Sequence, residues 1–213
     1  MKGFRKKAPV RKKRSYDATS RRAKARETRD RMIESARALF ASRGYGATSI
    51  EDIAARARVS PQTFYAVFAS KRGVLEPMLD AMDADAGVPA LLDAIAASAG
   101  DPPRQIALIV DFSARFYNRN ADLIGIVRAA GETEPDLAAL KDEGENRRRL
   151  AQRPLVAAWE RRGALRLPSA EALDLFWTMT TSDWFDLLVG ACGWPVERYR
   201  KELTGALVRL LLK

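Results

Sequence analysis

The run Ser60-Pro61-Gln62-Thr63-Phe64-Tyr65 carries polar side chains suited to hydrogen bonding rather than to covalent chemistry. Gln62 holds on one planar amide the donor and acceptor that match the major-groove edge of adenine. Thr63 offers a hydroxyl to a base and a methyl to thymine, and Tyr65 joins an aromatic ring to a hydroxyl suited to a phosphate. Catalytic alternatives are thin. The chain has 0 histidines and one cysteine, Cys192. An internal disulfide, a Cys–His zinc site and histidine-based triads are thereby excluded. No carboxylate pair is clearly placed in a pocket, so no catalytic residue, cofactor or metal ligand is assigned, and an enzyme is not expected.

These residues need a scaffold that turns them outward, and the surrounding pattern supplies one. From Glu27 a helical stripe runs through Ile33, Ala36 and Phe40, flanked by Met32 and Leu39, and stops at Gly44 and Gly46. Thr48 with Glu51 fits a capping box opening a second helix, whose apolar face is Ile50, Ile53, Ala54 and Ala57. After Arg58 and Val59, Ser60 as N-cap and Pro61 at the first helical position start a third helix. Phe64, Val67 and Phe68 are expected inside, leaving Pro61, Gln62, Thr63, Tyr65 and Ala66 outside. From Ser60 to Phe68 such a helix rises about 12 Å, close to the width of the B-DNA major groove. Ser70 reads as the cap of a fourth helix through Leu75 and Leu79. Three helices in so short a stretch, the last two joined by a tight turn, form a helix-turn-helix.

Charge is unevenly spread. The chain has net charge +10, and residues 1–31 hold 14 Lys and Arg against 3 Asp and Glu. That opening stretch therefore carries +11, and the rest of the chain is close to neutral at −1. A basic arm on a neutral body suggests an electrostatic tether to a polyanion. Residues 1–25 are expected to be disordered, with Arg21, Arg22, Lys24 and Arg26 placed to follow phosphates or enter a minor groove. With 47% hydrophobic and 30% charged residues the chain reads as soluble and globular, with no membrane span and no secretory leader. Cytoplasmic residence is expected, on the nucleoid when bound to DNA.

Thr48-Ser49-Ile50-Glu51-Asp52-Ile53-Ala54, Val59-Ser60, Thr63-Phe64-Tyr65, Phe68 and Ser70-Lys71 together resemble the signature of the TetR (tetracycline-repressor-like) family. The resemblance covers about residues 30–75. It implies a homodimeric bacterial transcription regulator whose two heads enter successive major grooves of a palindromic double-stranded operator. Contacts carried over fall on Thr48, Gln62, Thr63, Tyr65 and Lys71, with Pro61 near base edges. The amides beside Ser49 favour a phosphate. The chain departs from the family at Arg58, where the turn usually holds glycine and where an arginine is itself placed to reach phosphate. It departs again at Ala66 and Val67, which replace the usual aromatic or histidine pair.

The expected fold is all-α: a helix-turn-helix DNA-binding domain over residues 26–75 and a larger helical effector-binding and dimerisation domain over 76–213. Helices are expected at 89–99, 103–118, 121–131, 135–162, 169–192 and 196–212. The resemblance makes the last two a pair that packs against its twin, with Trp184, Leu188, Tyr199, Leu203, Leu207 and Leu210 as interface residues. It also implies a small-molecule effector, for which Phe112, Phe116, Tyr117, Trp159, Trp177 and Met179 are candidate lining residues. An effector-released repressor is the leading reading. An activator of the same fold and a non-specific nucleic-acid-binding protein are the alternatives, and a helical enzyme or ligand-storage protein ranks behind them.

Overall fold

Every described element is a helix. The only extended pairing among the described residues is an isolated antiparallel bridge between Leu165 and Leu212. The computed structural model describes residues 13–213, with side chains placed from Thr19 onward, Asp83 and Asp136 excepted. In chain order the helices are α1 (Lys13–Arg43), α2 (Ile50–Ala57), α3 (Pro61–Phe68), α4 (Glu76–Asp85), α5 (Val88–Ala97), α6 (Pro102–Gly131), α7 (Pro135–Arg161), α8 (Ser169–Met179), α9 (Ser182–Phe185) and α10 (Val196–Leu211). A 3-10 turn, Arg72–Val74, precedes α4, and a wide π-type segment, Asp186–Ala191, follows α9. No described helix is long and apolar enough to cross a membrane.

The chain divides into two compact units: residues up to Arg43 with Ala47–Pro77, and Gly44–Gly46 with Met78–Lys213. The first unit is built on α1, α2 and α3. Met32, Ala36, Leu39 and Phe40 of α1 are buried, with Ile53, Ala54 and Ala57 of α2, Phe64 and Phe68 of α3, and Val74 and Leu75 beyond them. The rings of Phe64 and Phe68 lie 5.3 Å apart, and the Arg29 guanidinium caps the Phe68 ring at 5.4 Å. Emptying a site such as Phe64 costs about 3–5 kcal/mol in a well-packed core, so this pair holds α3 in place.

The second unit buries Ile106, Val110, Ala114 and Tyr117 of α6 with Val156 and Trp159 of α7, Ala172 and Phe176 of α8, and Tyr199, Leu203, Leu207 and Leu211 of α10. Trp159 Nε1 donates to Gln105 Oε1 at 2.7 Å, and Gln105 Nε2 donates to the Ile95 carbonyl at 3.1 Å. One buried polar pair thus ties α5, α6 and α7 together.

Several boundaries differ from the sequence expectation, each for a local reason. α1 begins at Lys13 rather than at Glu27, so residues 13–25 are helical where disorder was expected. Residues 1–12 of the expected arm lie outside the described residues. Arg, Lys and Ala are strong helix formers, and the pairs Arg26–Asp30 (4.0 Å) and Glu27–Arg31 (3.3 Å) support the same helix. Low apolar content argued against burial, and burial is indeed absent: residues 19–27 are exposed.

The capping box of α2 is formed by Ser49 and Asp52, one residue later than the Thr48–Glu51 pair. Asp52 N donates to Ser49 Oγ at 3.0 Å and Ser49 N to the Asp52 carboxylate at 3.2 Å. After α3, Ser70 Oγ accepts from Gly73 N at 3.0 Å and caps the 3-10 turn; α4 starts only at Glu76. Gly73 is required there, because a Cβ would collide with the Phe68 carbonyl oxygen.

Segments 103–118 and 121–131 merge into α6 across a kink at Asn120 (φ −114°, ψ 19°), whose Nδ2 donates to the Phe116 carbonyl. The expected single helix 169–192 breaks at Thr180–Thr181. The Thr180 hydroxyl turns back onto the Phe176 carbonyl at 2.8 Å, a local bond that competes with helix continuation.

Candidate nucleic-acid interface

Ser60 in extended conformation (φ −79°, ψ 154°) places its Oγ 3.1 Å from Thr63 N, and Pro61 occupies the first turn, where its missing N–H costs nothing. With Phe64 and Phe68 buried, the opposite flank of α3 is left to solvent. Gln62, Tyr65, Ala66 and Val67 are exposed, and Pro61 and Thr63 are partly so. Tyr65 is 49% exposed and stands edge-on to Phe64 at 6.4 Å. Its hydroxyl reaches outward while its ring rests on the core.

Val67 corrects the sequence reading. It is 42% exposed rather than inward, because Phe64 and Phe68 are 40° apart around the helix and Val67 falls a further 60° out, on the other side of Phe64. Together with Ala66 it makes the far end of the flank apolar, in keeping with contact to methyl groups rather than hydrogen bonding. Thr63 Oγ1 lies 2.9 Å from Ser60 Oγ, which orients its hydroxyl and leaves the methyl on the outer side.

Around α3 the flanking candidates separate. Ser49 and Arg58 are exposed, whereas Thr48 is 1% exposed. The Thr48 side chain therefore cannot offer its hydroxyl to a phosphate, and this expectation is corrected: Thr48 packs inside, and Ser49 takes the exposed capping position. Ser49's hydroxyl, and after it the Ser49 amide, hold the Asp52 carboxyl below the usual carboxylate range. Lys71 Nζ donates to the Thr48 carbonyl at 3.2 Å, tying the segment after α3 to the entrance of α2. Arg58 closes α2 in the left-handed conformation (φ 57°, ψ 47°). It occupies the turn between α2 and α3 where glycine would be relaxed. Arg31 Nε reaches the neighbouring Ala57 carbonyl at 3.5 Å.

In the second unit the effector candidates do not share one cavity. Phe112 and Phe116 stack at 6.1 Å on α6, and Phe116 meets Tyr117 edge-on at 5.7 Å. Trp159 is buried and its indole N–H is consumed by Gln105. Trp177 and Met179 are half-buried at the end of α8. Hollows of about 480 and 550 Å3 lie elsewhere, one beside Arg149, Arg153 and Leu173, the other beside Asp111, Arg200 and Arg209.

Of the interface candidates, Tyr199, Leu203 and Leu207 are buried in the protomer's own core. This corrects their assignment: the inner stripe of α10 is already spent on α6 and α8. Trp184 and Leu188 are half-buried, Leu210 is exposed, and Leu187, which the sequence reading left out, is exposed beside them.

Sequence reasoning also passed over a polar cluster at the break after α8. It consists of Glu145, Arg148, Gln152 and Thr180, with Tyr117 and Tyr199. A signal was available, since Arg148 and Gln152 continue the four-residue spacing of Val156 on α7 and so put polar groups on its inward stripe.

Fold and site together define a helix-turn-helix protein whose reading helix is joined to a helical body. Residues 32–78 match the family model described as bacterial regulatory proteins, tetR family, and the chain belongs to that family. Over 63 residues it is 43% identical to the HTH-type transcriptional regulator TcmR of Streptomyces glaucescens, a match covering 30% of this chain and 28% of that protein. Among solved structures, NalD, the secondary repressor of the MexAB-OprM multidrug efflux pump in Pseudomonas aeruginosa, aligns with TM-score 0.68 at 18% identity. The alignment covers 90% of this chain and 98% of NalD. A transcriptional regulator from Saccharomonospora viridis in complex with choline aligns with TM-score 0.59 at 20% identity, over 88% and 98% of the two chains. The structural matches extend the likeness in fold across both units.

Proposed function

We propose that the protein is a sequence-specific transcriptional repressor that reads operator DNA as a homodimer and is released by a small-molecule effector. The observation that carries this reading is the outward flank of α3. Gln62, Thr63 and Tyr65 lie on a helix of groove-matching length, held from behind by Phe64 and Phe68. In the reading, Gln62 and Thr63 address base edges with Pro61 beside them. Tyr65, Arg58 and the amides at Ser49 address the backbone, with Lys71 bracing the loop that carries them. Ala66 and Val67 meet thymine methyls. The duplex lies among cytoplasmic, nucleoid DNA.

Two heads are needed for a palindrome. The outer surface at Trp184, Leu187, Leu188 and Leu210 is the face that would meet its twin, since the inner stripe of α10 is already buried. Effector release is supported by the relatives: NalD is a repressor, and the Saccharomonospora regulator holds choline.

Selection of bound duplexes from a random library by purified protein tests the proposal. The expected result is an enriched inverted repeat retained against excess random duplex. Equal binding to all duplexes, with loss on competition, would replace it by non-specific packaging.

A further inference from the structure

At the break between α8 and α9 the helical body encloses a polar cluster in an otherwise apolar core. Thr180 is fully buried. Its carbonyl accepts from Tyr117 Oη at 3.0 Å and from Arg148 Nη1 at 2.7 Å, and its hydroxyl accepts from Gln152 Nε2 at 3.1 Å. Arg148 is in turn paired with Glu145, with Nη2 to Oε2 at 2.5 Å. Tyr199 stands close enough to Tyr117, Arg148 and Asp186 for their charges to act on its hydroxyl. Groups from α6, α7, α8 and α10 therefore converge on one place.

Two of these groups are left incomplete. Tyr199 Oη, on a fully buried residue, has no hydrogen-bond partner, and neither does Gln152 Oε1, on a residue 4% exposed. The Trp177 indole N–H, buried beside them on α8, is unpaired as well. Unmade hydrogen bonds in a core are costly and rare, and here they gather around a network whose other members are satisfied. Donors (Tyr199, Trp177) and an acceptor (Gln152) face the same region, flanked by the rings of Phe185, 5.2 Å from Tyr199, and Phe176. Charge is already balanced, because Arg148 has Glu145.

Resting on the effector-released reading, we infer that this cluster is the ligand-recognition point of the body and takes a neutral, aromatic molecule bearing a hydroxyl group. The ligand hydroxyl accepts from Tyr199 or Trp177 and donates to Gln152 Oε1. A charged ligand would leave an uncompensated charge in the core. The ligand joins α8 to α7 and α10 at the chain break, so its binding biases how these helices meet.

Phenol serves as the probe, with toluene, benzoate and benzylammonium as controls, on the full-length protein. At ten times its dissociation constant phenol is expected to raise Tm by roughly 3–5 °C, and the three controls are not. Tyr199→Phe should raise the ligand-free Tm by about 2–4 °C, since it removes an unpaired buried hydroxyl, and should abolish the phenol response. Gln152→Met should abolish the response as well, and reads the same site should Tyr199→Phe fold poorly.

A fall in ligand-free Tm for Tyr199→Phe would mean that an internal water satisfies the hydroxyl and the cluster is structural. A phenol response kept by both variants, or matched by toluene, would also overturn the inference. The selected duplex separates the two readings: a Tyr199-dependent phenol response in a protein that selects no operator keeps the site and removes the repressor.

Discussion

At the residue scale, the reading helix owes its orientation to two phenylalanines and its chemistry to the residues between them. Gln62→Ala is expected to cost about 1–3 kcal/mol in operator binding and to relax preference at one base pair. Tyr65→Ala should weaken binding to every sequence alike by about 1 kcal/mol. Comparing selected libraries for the two variants checks both, and an unchanged profile for Gln62→Ala would remove that residue from base readout. Arg58 makes a different trade. Its left-handed backbone strains an arginine by about 1 kcal/mol relative to glycine, while its side chain is exposed in the turn facing the proposed duplex. Arg58→Gly should raise Tm by roughly 2–4 °C and weaken duplex binding irrespective of sequence. Calorimetry and a salt titration would show whether the two effects separate.

At the element scale, helix identities were legible and their ends were not. Ser60-Pro61 starts α3 as expected because N-cap and first-turn proline are local signals. The start of α2 slipped by one residue because Thr48 and Ser49 are both competent caps; burial of Thr48 chose between them. The break after Met179 was invisible because the residues on both sides are equally apolar, and the partner that stabilises it, Arg148, is distant in sequence, on α7.

The N-terminal reach of α1 lacks a buried face along residues 19–27, so propensity and ion pairs alone support it, and isolated helices of this length are marginal in water. Its basic residues make duplex phosphate the partner that would order it. Deleting residues 1–24 should leave the selected operator unchanged. It should also lower the slope of log affinity against log salt by about 0.9 for every phosphate that the shortened protein no longer neutralises. An unaltered slope would reduce this stretch to a solubilising tail.

At the scale of the whole molecule, stability should depend on pH through the buried tyrosines of the body. Burial pushes Tyr117 up to about 12 and Tyr199 further in the same direction. Both pKa values are raised on folding, so their contribution is complete below about pH 10 and is lost as pH climbs toward 12. For Tyr117 the loss is about 2–3 kcal/mol. Denaturant unfolding between pH 9 and 12 should show this decline, and Tyr117→Phe should flatten it at a cost of about 1 kcal/mol at neutral pH.

The sequence by itself determined the helical class, the helix-turn-helix and the outward place of Gln62, Thr63 and Tyr65. Each of these depends on neighbours within a few turns, and spacing records such neighbours directly. Only the tertiary structure decided which stripe of α10 was already used, that Val67 faces out and Thr48 in, and that distant polar residues meet at Thr180. Burial is a property of what packs on both sides of a helix, and a one-dimensional pattern names the apolar residues without saying which surface covers them.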